Sequence, residues 1–165
     1  MEQYEEAIQK AKKNIAVADH MISVTYTLLK DPRLLLSIVD NVFLALTYSM
    51  SALLYYERFY KAIPAFNDTF GPKFMLFTER MQKYGISKDY TAMIREVKDI
   101  IVSHKKSPVE FIRKDRFVIC SDNYRMNTIS LDSIKKYVTK TKLFIQVIDT
   151  ILKKNEDERI PRIFS

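Results

Sequence analysis

From the start of the chain, Tyr4, Ile8, Ala11, Ile15, Ala18, Ile22, Thr25 and Leu29 recur at alternating spacings of four and three. That spacing predicts a helix over about Gln3–Leu29 with one apolar seam, and with Glu6, Lys10, Lys13 and Asn14 opposite it. Asp31-Pro32 should stop it, because proline disfavours helix in the residue before it. The second predicted helix, about Arg33–Ala62, is apolar on two faces. Leu35, Ile38, Val42, Ala45, Ala52, Tyr56 and Phe59 make one stripe, and Leu36, Val39, Phe43, Leu46, Met50, Leu53 and Tyr60 the other. Such a helix is central in a bundle or crosses a membrane. Asp40, Asn41, Ser49 and Ser51 interrupt it, and its amphipathic neighbours need a core partner, so a buried bundle helix is expected and no membrane.

Ile63–Lys73 reads as a connection, through Pro64, Asn67, Gly71 and Pro72. Pro72 suits the first turn of a third helix to about Tyr84, capped by Gly85. A fourth helix over about Lys88–Lys105 carries Tyr90, Met93, Ile94, Val97, Ile100 and Ile101, with His104 continuing that face. Ser107-Pro108 ends it. The period then changes. Arg116–Cys120 is β-branched and aromatic, Ser121-Asp122-Asn123 is turn chemistry, and Tyr124–Ile129 is a return strand. Ser130 is an N-cap for a last helix to about Lys154, with Ile134, Val138, Thr141, Ile145, Ile148 and Leu152 inward. The expected fold is mainly all-α: an up-and-down antiparallel bundle of about five helices with a short β-hairpin before the last. One domain spans residues 1–154, followed by a charged, flexible tail over 155–165.

Composition supports this and removes several chemistries. With 165 residues, 47% hydrophobic and 28% charged, the chain has the size and balance of one globular domain. Two glycines are too few for a many-stranded protein or a phosphate-cradling loop. The lone Cys120 makes no internal disulfide or cysteine-based zinc site, and strand cysteines are usually small buried hydrophobes. The acidic N-terminus lacks the order of a signal peptide, so a cytoplasmic protein is expected. His20 and His104 lie on different helices without a Glu-x-x-His partner, so no metal and no cofactor is expected. The Gly-x-Ser-x-Gly elbow is absent too.

Three groups remain as candidate sites. In His104–Arg116 a histidine stands among arginines, and His104 with Arg113 and Arg116 could serve acid/base chemistry on a phosphate. The structural alternative is a histidine closing an amphipathic helix. Charge marks the same region: ten basic residues stand against four acidic ones between Lys105 and Lys142. Lys105, Lys106, Arg113, Lys114, Arg116 and Arg125 would hold nucleic acid if they shared one face, or would simply keep a surface solvated. The third group is polar and lies on the apolar second helix, where Asp40, Asn41, Thr47, Tyr48, Ser51 and Tyr55 must find partners, as a groove or an interface.

The long helices, the central apolar helix carrying Ala and Ser, and the basic connection His104–Arg116 before the last helix resemble the HEPN (higher eukaryote and prokaryote nucleotide-binding) superfamily over about Met1–Lys154. Ribonucleases of that family carry an Arg followed, after four to six residues, by His. Here the nearest upstream arginine, Arg95, is nine positions from His104, and at 100° per residue the two fall on opposite sides of the helix. The resemblance therefore implies the non-catalytic kind: a homodimer acting as an accessory, partner-binding module. The hairpin before the last helix is a departure from that pattern. Ten Tyr and ten Phe suit an interface with a protein partner, although bundles also use them structurally.

Overall fold

The computed structural model describes residues 1–107, 109–120 and 125–164, with the backbone alone for 109 and 155–164. The expected turn Ser121-Asp122-Asn123, Tyr124 and the helix-ending Pro108 lie outside the described residues. Helix α1 (Gln3–His20) continues through a π-helical segment, Met21–Tyr26, into a short turn, Thr27–Leu29. Helices α2 (Leu34–Phe59), α3 (Phe70–Arg80), α4 (Lys88–Lys106) and α5 (Leu131–Phe164) follow. Strands β1 (Val109–Arg113), β2 (Arg116–Cys120) and β3 (Met126–Ile129) stand between α4 and α5. The fold is mainly α, a helical bundle with a small antiparallel sheet before the last helix.

Helix α2 is the centre. Leu35, Ile38, Val39, Val42, Leu46, Met50, Leu53 and Leu54 are buried on both of its stripes, and α1, α3, α4 and α5 all pack on it. It is also the one described helix long and apolar enough to cross a membrane. Ring contacts of Tyr4 with Tyr56 and Phe59, at 5.4 and 5.6 Å, set α1 antiparallel to α2. Helix α4 also opposes α2, since Lys98 lies over the Phe43 ring and Asp40 feels the charge of His104. Helix α5 opposes α4 through Tyr137–Glu96 and Phe144–Tyr90. The step that does not reverse is α2 to α3. The connection doubles back, Phe66 stacking on Tyr55, so that α3 runs in the same sense as α2 with Phe70 at Phe43 and Arg80 at Glu57.

The stop signals act where expected. Lys30 closes the first helix in a left-handed conformation (φ 51°), and Gly85 (φ 66°) follows the 3₁₀ turn Met81–Tyr84 after α3. Ser87 caps α4 by accepting from the Asp89 N–H, and Ser130 and Ser133 cap α5 reciprocally. Three boundaries differ. α2 ends at Phe59, with Lys61 at φ 59°, α3 begins at Phe70 inside the expected connection, and the helical backbone of α5 continues past Lys154 to Phe164. The first seam also slips. The π segment accommodates one extra residue, so Tyr26 is buried in place of Thr25, and Leu29 is turned out to solvent.

The expected hairpin is β2–β3, and β1 extends it to a three-stranded meander in the order β1-β2-β3. Lys114 and Asp115 join β1 to β2, with Lys114 in the left-handed region (φ 60°). The inner face brings Phe117, Ile119 and Ile129 into the core.

Candidate functional sites

The strand register sorts the basic stretch. In β1–β2, Glu110 faces Ile119 and Ile112 faces Phe117, and these are inner positions. Phe111 faces Val118 and Arg113 faces Arg116, and these are outer positions. Thr128 and Met126 of β3 extend the outer face beside Val118 and Cys120.

His104 belongs to the inner side. Its Nδ1 lies 2.6 Å from Glu110 Oε1; a carboxylate offers only lone pairs, so the ring donates to it. The sheet is further tied to α4 by Ser107 Oγ, which donates to the Cys120 carbonyl at 2.7 Å. The expected constellation of His104 with Arg113 and Arg116 is therefore corrected: strand alternation puts the histidine's partner and the two arginines on opposite faces. Arg95 is also elsewhere, its guanidinium stacked 5.2 Å from the Phe74 ring centroid. Asp40 joins the His104 end of α4. Although the residue is exposed as a whole, its carboxyl is partly desolvated, which raises its pKa against the pull of His104 and Lys105. Among the described residues no three His, Cys, Asp or Glu side chains gather to hold a metal ion.

Arg113, Lys114 and Arg116 do come together. With Phe111, Asp115, Val118, Met126 and Thr128 they line a concavity of about 360 Å³ on the outer face. Neither arginine has an ion-pair partner among the described residues. Phe111 and Met126 are 39% and 61% exposed there, while Val118 between them is buried. The Asp115 charge acts on Tyr26 of the π segment, whose hydroxyl is raised first by burial and then by Asp115 and Asp31. Lys105 and Lys106 are apart from this concavity, exposed at the end of α4, and the exposed Arg125 precedes Met126.

The polar strip of α2 divides. Thr47, Tyr48, Ser51 and Tyr55 line one groove of about 330 Å³ with Lys10, Lys73 and Asp68. Asp40 and Asn41 lie outside it; the Asn41 amide donates to the Ser37 carbonyl within its own helix. In the groove floor, buried Lys73 donates to Ser51 Oγ at 2.8 Å and pairs with Asp68 Oδ1 at 2.7 Å. Tyr55 donates to Asp68 Oδ2 at 2.7 Å. Burial works to raise the Asp68 carboxyl, but the bonds from Lys73 and Tyr55 outweigh it and hold the carboxyl below its ordinary range. A serine beside a lysine is a known nucleophile–base pairing. Here Lys73 Nζ donates to Ser51 Oγ and pairs with Asp68, so the lysine stands as a donor to the serine oxygen rather than as an acceptor of its proton. The network pins the connection before α3 to α2.

Glu110 and Phe111 gain their places only with β1, a strand outside the expected elements, and Met126, on the expected return strand, joins Phe111 only through the three-strand register. The signal for β1 was the alternation of Phe111 and Arg113 with Glu110 and Ile112 just after a proline. Glu57 carries no sequence signal of its role: it is 1% exposed in the core, where Arg80 Nε and the Tyr84 hydroxyl both donate to it. Burial first, and then the Glu57 carboxylate, push the Tyr84 hydroxyl well above its ordinary range. No protein-family model matches the chain, and no curated protein matches its sequence.

Proposed function

We propose that this chain is a non-catalytic binding module, a HEPN-like bundle in the cytoplasm whose working surface is the outer face of the sheet and whose partner is a polyanion. The observation that carries the reading is the Arg113–Arg116 pair. Facing residues on antiparallel strands have Cβ atoms about 5 Å apart, and like charges so placed destabilise the sheet. Folding alone gives no reason for two guanidinium groups side by side with no carboxylate paired to either among the described residues. An anionic partner does, because two adjacent forks suit phosphate or sulfate oxygens.

Heparin, a polyanion without bases, is the probe. The protein should be retained on heparin resin and released by salt, and Arg113→Ala/Arg116→Ala should elute much earlier. His104→Ala should elute unchanged, its partner being on the inner face. Retention that the double substitution leaves unaltered sinks the proposal.

A second reading, self-association, is favoured by Val24, Leu28 and Leu29, which expose apolar side chains together at the end of the first helix. Sedimentation velocity should then show a dimer that Leu28→Ser/Leu29→Ser dissociates; a monomer at high concentration removes this reading.

A further inference from the structure

We infer that the polyanion is single-stranded nucleic acid, held with one base stacked on Phe111 and its neighbouring phosphates on Arg113 and Arg116. The inference rests on the polyanion reading above and narrows it. Three features of the concavity separate a nucleic-acid strand from other anions. Its floor is apolar, with Phe111 and Met126 open to solvent and Val118 buried between β1 and β3. Its volume, about 360 Å³, admits a flat ring with room beside it. Its cations stand at one end of that floor, since Arg113 is two positions along β1 from Phe111, and Arg116 two along β2 from Val118.

Side chains two apart on a strand project from the same face, roughly 7 Å from one another. That is the order of the distance from a base to its own backbone phosphate. A duplex keeps its bases stacked inside and meets the arginines only with phosphate, leaving Phe111 unused. An acidic peptide would satisfy the guanidinium groups but has no need of an exposed aromatic face. Of these three an unpaired strand uses the cations and the ring at once, the combination found where single strands are bound without sequence preference. Asp115 in the turn opposes one of the three positive charges of Arg113, Lys114 and Arg116, which favours contact with few phosphates.

The test is fluorescence anisotropy of the full chain with labelled dT12 and U12, beside a duplex of equal length and labelled heparin. The single strands should bind alike, and both more tightly than the duplex. Binding of the single strands should weaken about sevenfold between 50 and 200 mM salt, as two neutralised phosphates require. Phe111→Ala should weaken the single strands by about tenfold, as expected for one stacked base, and leave heparin unchanged. Phe111→Tyr should keep the affinity, and Arg113→Ala/Arg116→Ala should lose both ligands. Phe111→Leu, which keeps apolar bulk without a flat ring, repeats the test if the alanine variant does not fold. If heparin, duplex and single strand bind equally and neither Phe111 variant matters, the polyanion reading stands and this inference falls. If none of the four binds at 50 mM salt, both fall.

Discussion

The buried charges of the helical body and the exposed charges of the sheet obey opposite rules. In the body, Glu57 meets Arg80 and Tyr84, and Lys73 meets Asp68 and Ser51. Each such group is accounted for by the cost of leaving a charge unpaired in the core. On the outer face of the sheet, Arg113 and Arg116 stand side by side, and among the described residues no acid is paired to either. Satisfied groups, even unusual ones such as the lysine beside Ser51, are explained by the fold. Groups that weaken the fold they belong to call for another explanation, and the one proposed here is a ligand.

The largest effect that would test this contrast lies in the body. Arg80→Met leaves the Glu57 carboxylate buried with Tyr84 alone, and should cost about 3–5 kcal/mol in urea unfolding, with no change in heparin retention by the molecules that stay folded. A change in retention would mean that the two regions are not independent.

Alkali should act on the body as well. Burial, together with the nearby carboxylates of Asp68 and Glu96, pushes Tyr55 and Tyr137 each up to about 12. The folded protein keeps these protons after the unfolded chain, with tyrosines near 10, has released them. Their contribution is thus fully present below about pH 10 and is lost as pH rises toward 12. Urea midpoints should fall across that window, and Tyr137→Phe should flatten the fall; an unchanged midpoint would show that these hydroxyls are not held.

Two substitutions in the sheet should act in the opposite direction. Lys114 holds a left-handed conformation at the first position of a two-residue turn, where glycine carries no steric penalty, so Lys114→Gly should stabilise by roughly 0.5–1 kcal/mol. Arg116→Thr removes the like-charge pair and should stabilise by about 0.2–1 kcal/mol while lowering polyanion affinity. Loss of both stability and affinity would mean that Arg116 serves the fold.

The parts of the molecule legible in the sequence are those with local causes. Gly85, Ser87 and Ser130 mark helix ends through their own backbones and side chains, and the α5 stripe from Ile134 to Leu152 is buried as its spacing predicts. The direction of α3 was not legible, since it is set by Phe66 and Asp68 reaching back to Tyr55 across the connection. Strand β1 was hidden because Val109–Arg113 is short and carries charges at two of its five positions. Without β1, Glu110 could not be assigned to His104, nor Arg113 to the face of Phe111. The basic residues were visible as composition; which of them share a face depends on register, and the register depends on the missed strand.

The π segment of the first helix bears on how this sequence can vary. Deleting one residue from an α-helix rotates everything beyond the deletion by about 100°, and in a helix buried along one seam that is ruinous. Met21–Tyr26 already holds one residue more than an α-helical path needs. Removing exposed Ser23 would leave Tyr26 three positions after Ile22 instead of four, still on the seam that begins at Tyr4. Single-codon loss should therefore be tolerated in this stretch and rejected in the turns before it, and related chains of different length would be expected to gain or lose their residue here.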